Sequence, residues 1–210
     1  MTTEGTESMD VFDPNNMRLP DDFRQHLISP SVNLTHDGFP VEKDAHDFLR
    51  AFLTDASLES GERLFHIYSE VVGVPIYRHH LQKIQDVRCD ILALPIVERI
   101  TLGGIIIDVK RSGVTIGPGI SQLHDYLNSA FDVRNGIRVI PTTAFLFPVR
   151  KQNSATASWM QHQHIGTIEV NNYTKNVIFF CGEERLLEFS PGGILLHARE
   201  TRSGRKMGSR

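Results

Sequence analysis

The run Ile105-Ile106-Ile107-Asp108-Val109-Lys110 constrains the fold more than any other stretch of the chain. Three isoleucines in series suit a β-strand covered on both faces. Residues two apart on a strand share a face, so Asp108 and Lys110 project together. Ile107 and Val109 then project the opposite way, into a core. An acid and a lysine at the end of so apolar a strand are costly unless they are paired or used.

The flanking pattern sets this strand in an α/β layout. Phe48, Leu49, Phe52 and Leu53 fit a helix over 42–54, with Asp44 and Asp47 on its other side. Leu64, Ile67, Tyr68 and Val71 fall at helical spacing and predict a second helix over 57–72, stopped by Gly73 and Pro75. Short strands are expected over 74–77 and 88–95, then the isoleucine strand over 103–110. Gly113, Gly117, Pro118 and Gly119 read as a loop, and 121–131 as a helix with Leu123, Leu127 and Ala130 on one stripe. After a turn at Asn135-Gly136, residues 137–149 read as a strand with an extension. Helix, strand, strand, strand, helix, strand is the order of an α/β sandwich.

Four segments follow along the chain. Residues 1–20 lack an apolar period and read as a flexible arm. Residues 21–150 hold the expected core. Within 151–198 the first part, to 163, reads as a loop, and β character returns over 165–170, 177–181, 186–189 and 194–196, as strands that extend the sheet or form a small lobe. Residues 199–210 carry Arg199, Arg202, Arg205, Lys206 and Arg210 against one acid, Glu200, and read as a basic tail.

Composition narrows the function classes. At 210 residues, 40% hydrophobic, the chain can bury a core of useful size. A formal charge of −3 is not that of a histone-like binder, but a local basic groove can sit on an acidic body. The two cysteines, Cys89 and Cys181, cannot supply the four thiolates of an iron–sulfur cluster. They form no disulfide framework, which favours a reducing compartment. No apolar run approaches the ~20 residues of a membrane span, and the N-terminus has no apolar signal core. A cytoplasmic protein without a membrane partner is expected.

The chemistry concentrates at three places. Asp108 and Lys110 share a strand face. Asp90 interrupts a second apolar strand, between Cys89 and Ile91, and converges on Asp108 if the two strands pair. Two converging carboxylates repel each other unless a cation lies between them. Hard divalent cations take oxygen ligands and keep several waters. Gln122 and Tyr126, four apart on the following helix, share a face and can each hydrogen-bond a phosphate or a metal-bound water.

An acid on one strand, Asp108-Val109-Lys110 on the next and Gln122-Leu-His-Asp-Tyr126 on the following helix resembles the PD-(D/E)XK nucleases. The Gln-x-x-x-Tyr element is most similar to their RecB-like branch. The resemblance covers roughly residues 57–149. It implies a restriction-endonuclease-like mixed sheet flanked by helices, Mg²⁺ or Mn²⁺ dependence and phosphodiester hydrolysis. It implies Asp90 and Asp108 as metal ligands with the Val109 carbonyl as an extra one, Lys110 positioning the attacking water, and Gln122 and Tyr126 orienting substrate or water. Cys89 stands where the family motif has a proline, which many relatives also lack, and the chain has no phosphate-binding Gly-Lys-Ser/Thr loop.

Family members often carry a further acid or histidine on the helix before the first strand. Glu62, His66 and Glu70 form one stripe of the 57–72 helix; His66 and Glu70 are taken as candidate metal ligands, against a plain solvated face. Arg111 and Arg138 are the basic residues expected to contact nucleic acid, with Arg134, Arg150 and Lys151 as further cleft-flanking cations. His79 and His80 read as surface residues, and His162 with His164 as too small a set for zinc. The expected partner is nucleic acid, DNA ahead of RNA. Alternatives are an RNA endonuclease of the same fold, similar to the cap-snatching enzymes of segmented viruses, and an inactive nucleic-acid-binding or scaffold protein. A homodimer fits a small nuclease that cuts two strands, but no sequence feature identifies an interface.

Overall fold

All five residues of the isoleucine strand, Ile105–Val109, are buried, Asp108 included. The computed structural model describes residues 38–58, 61–76, 85–96, 104–133, 136–149, 152–191 and 193–196, together with residues 27, 28, 30, 32 and 34. The arm over 1–20, the tail over 199–210, and His79, His80, Arg134, Arg150 and Lys151 lie outside the described residues.

The elements run β1 (Leu27–Ile28), α1 (Glu42–Asp55), β2 (Ser57–Leu58), β3 (Phe65–Pro75), β4 (Val87–Pro95), β5 (Ile105–Val109), α2 (Ile116–Leu127), β6 (Ser129–Asp132), β7 (Arg138–Val139), β8 (Thr143–Phe147), α3 (Ser154–His162), β9 (Ile165–Asn171), β10 (Asn176–Cys181), β11 (Glu184–Ser190) and β12 (Gly193–Leu196). β1 and β2 pair with each other. The other ten strands form one open mixed sheet in the order β12-β11-β10-β9-β8-β5-β4-β3-β6-β7. β5, β8 and β9 are mutually parallel neighbours, and the remaining pairings are antiparallel. The chain is thus α/β, with the C-terminal strands continuing the same sheet.

The helices cover both faces of β5. Ile105, Ile107 and Val109 pack with Ala45, Leu49, Phe52 and Leu53 of α1. Ile106 packs with Ile120, Leu123 and Tyr126 of α2 and Met160 of α3. That two-sided burial is the reason the strand reads as a continuous apolar run.

The helix expected over 57–72 is instead strand β3, which also absorbs the strand expected over 74–77 as far as Pro75. Ile67 packs into the α1-side core, whereas Tyr68 and Val71 pack into the α2-side core. A strand with half-buried apolar residues on both faces therefore shows them at spacings of one, three and four, which imitates a helix. Its aromatic and β-branched content favours the strand. Alternation also slips at Glu70, whose φ of 55° is uncommon for a residue other than glycine. The helix that precedes the three-strand run is α1, with short β2 between them, and β6 and β7 intervene between α2 and β8, so the expected order is kept only in part.

Three boundaries also move. α2 starts at Ile116 rather than 121, because Pro118 in a first turn removes no needed hydrogen bond. It ends at Leu127, and Ala130 and Phe131 belong to β6, which pairs with β3. The strand expected over 137–149 is two strands, β7 and β8, separated around Pro141. The loop expected to 163 contains α3, capped by Asn153, whose side chain accepts from the Thr156 N–H at 3.0 Å. Only Ala157 and Met160 of α3 are buried, which is too little apolar periodicity to stand out in the sequence.

Candidate functional site

β4 and β5 are zipped by a short antiparallel ladder, Ile91↔Ile107, Leu92↔Ile106 and Ala93↔Ile105. β5 stays paired with β8 as far as Val109↔Phe147. On its other edge, past Ile107, the Val109 N–H finds no strand carbonyl on β4. It donates instead to Asp90 Oδ2 at 2.6 Å. The side chain of Asp90 thus closes the fork where β4 and β5 part.

Asp108 lies beside that fork, on the α2 side of the sheet, with no exposed surface. Lys110 Nζ donates to its Oδ1 at 2.8 Å, which joins the acid and the lysine that the strand pattern placed on one face. The other oxygen, Oδ2, is buried without a hydrogen-bond partner. Such an atom loses its hydration and gains nothing in return, so an ionised Asp108 is costly here unless a cation meets it. Burial pushes the Asp108 carboxyl up to about 6; Lys110 opposes that shift, and the charges of Asp90 and Glu42 add to it. Burial likewise raises Asp90, with the Val109 N–H and Lys110 holding it down and Glu70 and Glu42 pushing it up.

Gly119 packs closely against the orphan oxygen. A Cβ there would stand 3.2 Å from Asp108 Oδ2 and 2.4 Å from Leu146 Cδ1. The first turns of α2 can lie this close to β5 and β8 only without a side chain at that position.

Gln122 and Tyr126 are joined. Tyr126 is buried, and its hydroxyl donates to the Arg88 carbonyl at 2.6 Å while accepting from Gln122 Nε2 at 2.6 Å. Burial raises the Tyr126 pKa, and the charges of Asp108 and Asp90 raise it further. The tyrosine's single proton is committed to β4 two residues before Asp90. Tyr126 therefore positions β4 and Gln122, and half-buried Gln122 keeps its amide oxygen and a second N–H for other partners.

Sequence reasoning missed the contribution of α1. His46 Nε2 lies 3.3 Å from the Asp90 carbonyl oxygen, and the charge of Glu42 reaches both Asp90 and Asp108. The two residues are four apart, and that i, i+4 pair was the available signal. The polar stripe of the apparent 57–72 helix, nearer to the first strand, masks it.

The residues of that stripe lie differently. His66 is exposed and pairs with Leu94, well up β3 from the fork. Glu62 is exposed and lies outside β3. Glu70 is exposed, and the pairs Ser69↔Ile91 and Val71↔Cys89 set it beside Asp90. Its Oε2 lies 3.7 Å from Arg88 Nη1. Arg111 follows Lys110 and is exposed. Arg138 pairs with Asp132 at 2.9 Å on edge strand β7, four strands from β5, or about 19 Å at ordinary strand spacing. It is not brought to the carboxylates. His162 turns back on its own helix, with Nδ1 2.6 Å from the Ser158 carbonyl.

No protein-family model, curated protein or solved structure matches the chain.

Among the described residues, no group of three or more His, Cys, Asp or Glu side chains is arranged to hold a metal ion. The donors at the fork are two carboxylates, Asp90 and Asp108. That set suits Mg²⁺, which takes one or two carboxylates and fills its octahedron with water and phosphate oxygens. It does not suit zinc, which asks for three or four nitrogen or sulfur donors. Cys89, next to Asp90, lies in the apolar core on the α2 side, where burial pushes its thiol up to about 12.

Proposed function

We propose that the chain is a divalent-metal-dependent nuclease hydrolysing phosphodiester bonds, in DNA ahead of RNA, with its reaction centre at the fork of β4 and β5. The observation that carries this reading is the buried Asp108 Oδ2, which has no hydrogen-bond partner although Asp90 and Lys110 stand beside it. A protein core does not ordinarily leave a carboxylate oxygen in that state. A cation would satisfy the oxygen and relieve the repulsion between the two acids. The element order, helix, three antiparallel-linked strands, helix and a parallel strand, supports a restriction-endonuclease-like core.

Asp90 and Asp108 would hold Mg²⁺ or Mn²⁺, with the Val109 carbonyl at the same strand end. When bound, the ion polarises a phosphoryl oxygen and acidifies a water. Asp90 closes the fork by taking the Val109 N–H on Oδ2. Lys110, half-buried and with two donors beyond its bond to Asp108, orients the attacking water and offsets charge growing on the phosphate. Gln122 offers its free amide groups to substrate or water, and Tyr126 fixes it in place. Exclusion of water by α1 and α2 strengthens each of these interactions.

One observation favours RNA as substrate. By the resemblance, a histidine on the helix before the site favours the RNA-cutting enzymes, and His46 of α1 reaches the backbone carbonyl of Asp90.

Incubation of single-stranded DNA, duplex DNA and RNA with Mg²⁺ or Mn²⁺ tests the proposal, with Asp108→Ala as the control. Cleavage by wild type alone is expected. Equal products from both proteins, or from neither with any metal and substrate, would refute it.

A further inference from the structure

Asp90 is the one residue of β4 that pairs with neither neighbouring strand. The β3 ladder passes from Ser69↔Ile91 to Val71↔Cys89 and leaves out Glu70 and Asp90, and the β5 ladder ends at Ile91↔Ile107. On the β3 side the break falls at Glu70, whose backbone takes a φ of 55°. A central strand ordinarily satisfies its peptide groups in the ladder, and groups released from it need other partners.

Side chains supply those partners here. The Val109 N–H goes to Asp90 Oδ2 at 2.6 Å, the Arg88 carbonyl accepts from the Tyr126 hydroxyl at 2.6 Å, and the Asp90 carbonyl lies 3.3 Å from His46 Nε2. The helices α1 and α2 thus pin β4 from opposite faces of the sheet, at two carbonyls two residues apart. Buried Ala45 and Leu49 fix the height of α1 and with it the reach of the half-buried His46 ring.

A carbonyl oxygen can only accept, so this bond requires the proton on Nε2. The other ring nitrogen, Nδ1, is turned to a second oxygen, Asp47 Oδ1 at 3.6 Å, and Asp47 is itself bonded to Lys43 on the same helix. The ring therefore offers no lone pair to an ion lying between Asp90 and Asp108. Groups that hold a metal ligand in place without touching the metal are as much a part of such sites as the ligands.

We propose that His46 is a positioning residue: by donating Nε2–H to the Asp90 carbonyl it fixes the stretch of backbone that aims the Asp90 carboxylate, and it does not itself bind the ion. The inference rests on the nuclease reading for the presence of a metal ion at the fork. A residue left out of both ladders has no neighbouring strand to hold its peptide groups. The Val109 N–H holds Asp90 at its carboxylate and His46 holds it at its carbonyl. Without His46, only the first of these bonds orients the ligand.

The test is calorimetry with Mn²⁺ on metal-free wild type, His46→Gln, His46→Ala and His46→Glu. Gln keeps an N–H that can reach the carbonyl, Ala has none, and Glu supplies a carboxylate that suits a hard cation but cannot donate. Gln is expected to bind Mn²⁺ within about threefold of wild type, and Ala and Glu about tenfold more weakly, the loss typical of removing a group that orients a ligand. Unchanged affinity in Ala, Glu binding more tightly than Gln, or no uptake of Mn²⁺ by wild type would overturn the inference. Imidazole ¹⁵N–¹H correlation spectra, with the His46 signal identified by its loss in the Gln variant, should show the proton on Nε2 and unmoved ring nitrogens when Mg²⁺ is added. A proton on Nδ1 alone, or a large Mg²⁺-dependent shift of either nitrogen, would also overturn it. Cleavage in Mn²⁺ is scored separately. The expected binding pattern without cleavage would refute the nuclease reading and leave the role of His46 supported; cleavage abolished by Asp108→Ala but undiminished in His46→Ala would do the reverse.

Discussion

Replacing Asp108 by Asn should stabilise the metal-free protein at neutral pH. The carboxyl is raised from 3.8 to about 6, chiefly by burial. A shift of about two units corresponds to about 3 kcal/mol between its two protonation states. The folded protein holds this proton more tightly than the unfolded chain does. The group's favourable contribution is therefore complete below pH 4 and is lost as pH rises through about 6. Above that, the folded state carries a buried anion with one unsatisfied oxygen. Asn removes the charge but also weakens the contact from Lys110 Nζ, which offsets part of the gain. A net stabilisation of about 1–3 kcal/mol is expected at pH 7.5, or about 2–10 °C in Tm for a chain of this size. The assay is thermal unfolding in EDTA from pH 4 to 8. The gap between Asp108→Asn and wild type should be largest at the alkaline end and close on acidification. Mn²⁺ at pH 7.5 should then raise the wild-type Tm and leave the Asn variant unmoved. If the variant is no more stable than wild type at pH 7.5, or the gap persists unchanged at pH 4, Asp108 is not a destabilised carboxylate and the metal argument loses its basis.

Three further outcomes are expected. Lys110→Ala should abolish cleavage while calorimetry still detects Mn²⁺, because a protonated lysine offers no metal-binding lone pair; loss of Mn²⁺ affinity as severe as in Asp108→Ala would overturn that division of roles. Gln122→Ala should slow cleavage by the equivalent of about 1–3 kcal/mol without a large change in Tm, whereas Tyr126→Phe should also lower Tm by leaving the Arg88 carbonyl unsatisfied; equal melts for wild type and the Phe variant would show that bond to be unimportant. Gly119→Ala should cost about 1–3 kcal/mol by driving a methyl into Leu146, and Leu146→Ala in the same chain should restore Mn²⁺ binding if crowding is the cause; unchanged melting of the single variant would contradict the close approach of α2.

The site strand was legible because its pattern has one physical meaning. Ile105 to Ile107 call for burial on both faces, and the period of two places Asp108 with Lys110 whatever surrounds them. The antiparallel ladder with β4 then brings Asp90 to Asp108. Gln122 and Tyr126 were equally readable as an i, i+4 pair, and Leu123 on the buried stripe fixes their side of the helix. Their mutual hydrogen bond and the bond to Arg88 were not readable, since both depend on the height of α2 above the sheet. Gly119 sets that height, and a sequence pattern cannot distinguish a glycine that ends a loop from one that lets a helix approach.

β3 was misread for the same reason that β5 was read correctly. Both strands send apolar residues to both faces, but β5 is buried throughout and β3 only in part. In β3 the polar residues His66, Ser69 and Glu70 interrupt Phe65, Ile67, Tyr68 and Val71 at intervals that a helix also produces. Read as a helix, 57–72 presents Glu62, His66 and Glu70 as the candidates for a further acid or histidine at the site. The residues that α1 carries to the fork are Glu42 and His46, on a helix whose own buried stripe of Ala45, Leu49, Phe52 and Leu53 was legible throughout. The two acids nearest the carboxylates from outside β4 and β5 thus come from opposite directions: Glu42 from above the sheet on α1, Glu70 from the neighbouring strand beside Asp90. Both raise the Asp90 carboxyl. Buried Asp108 and half-buried Asp90 share one half-buried lysine, and two carboxylates so placed are destabilising in a protein that never meets a cation there.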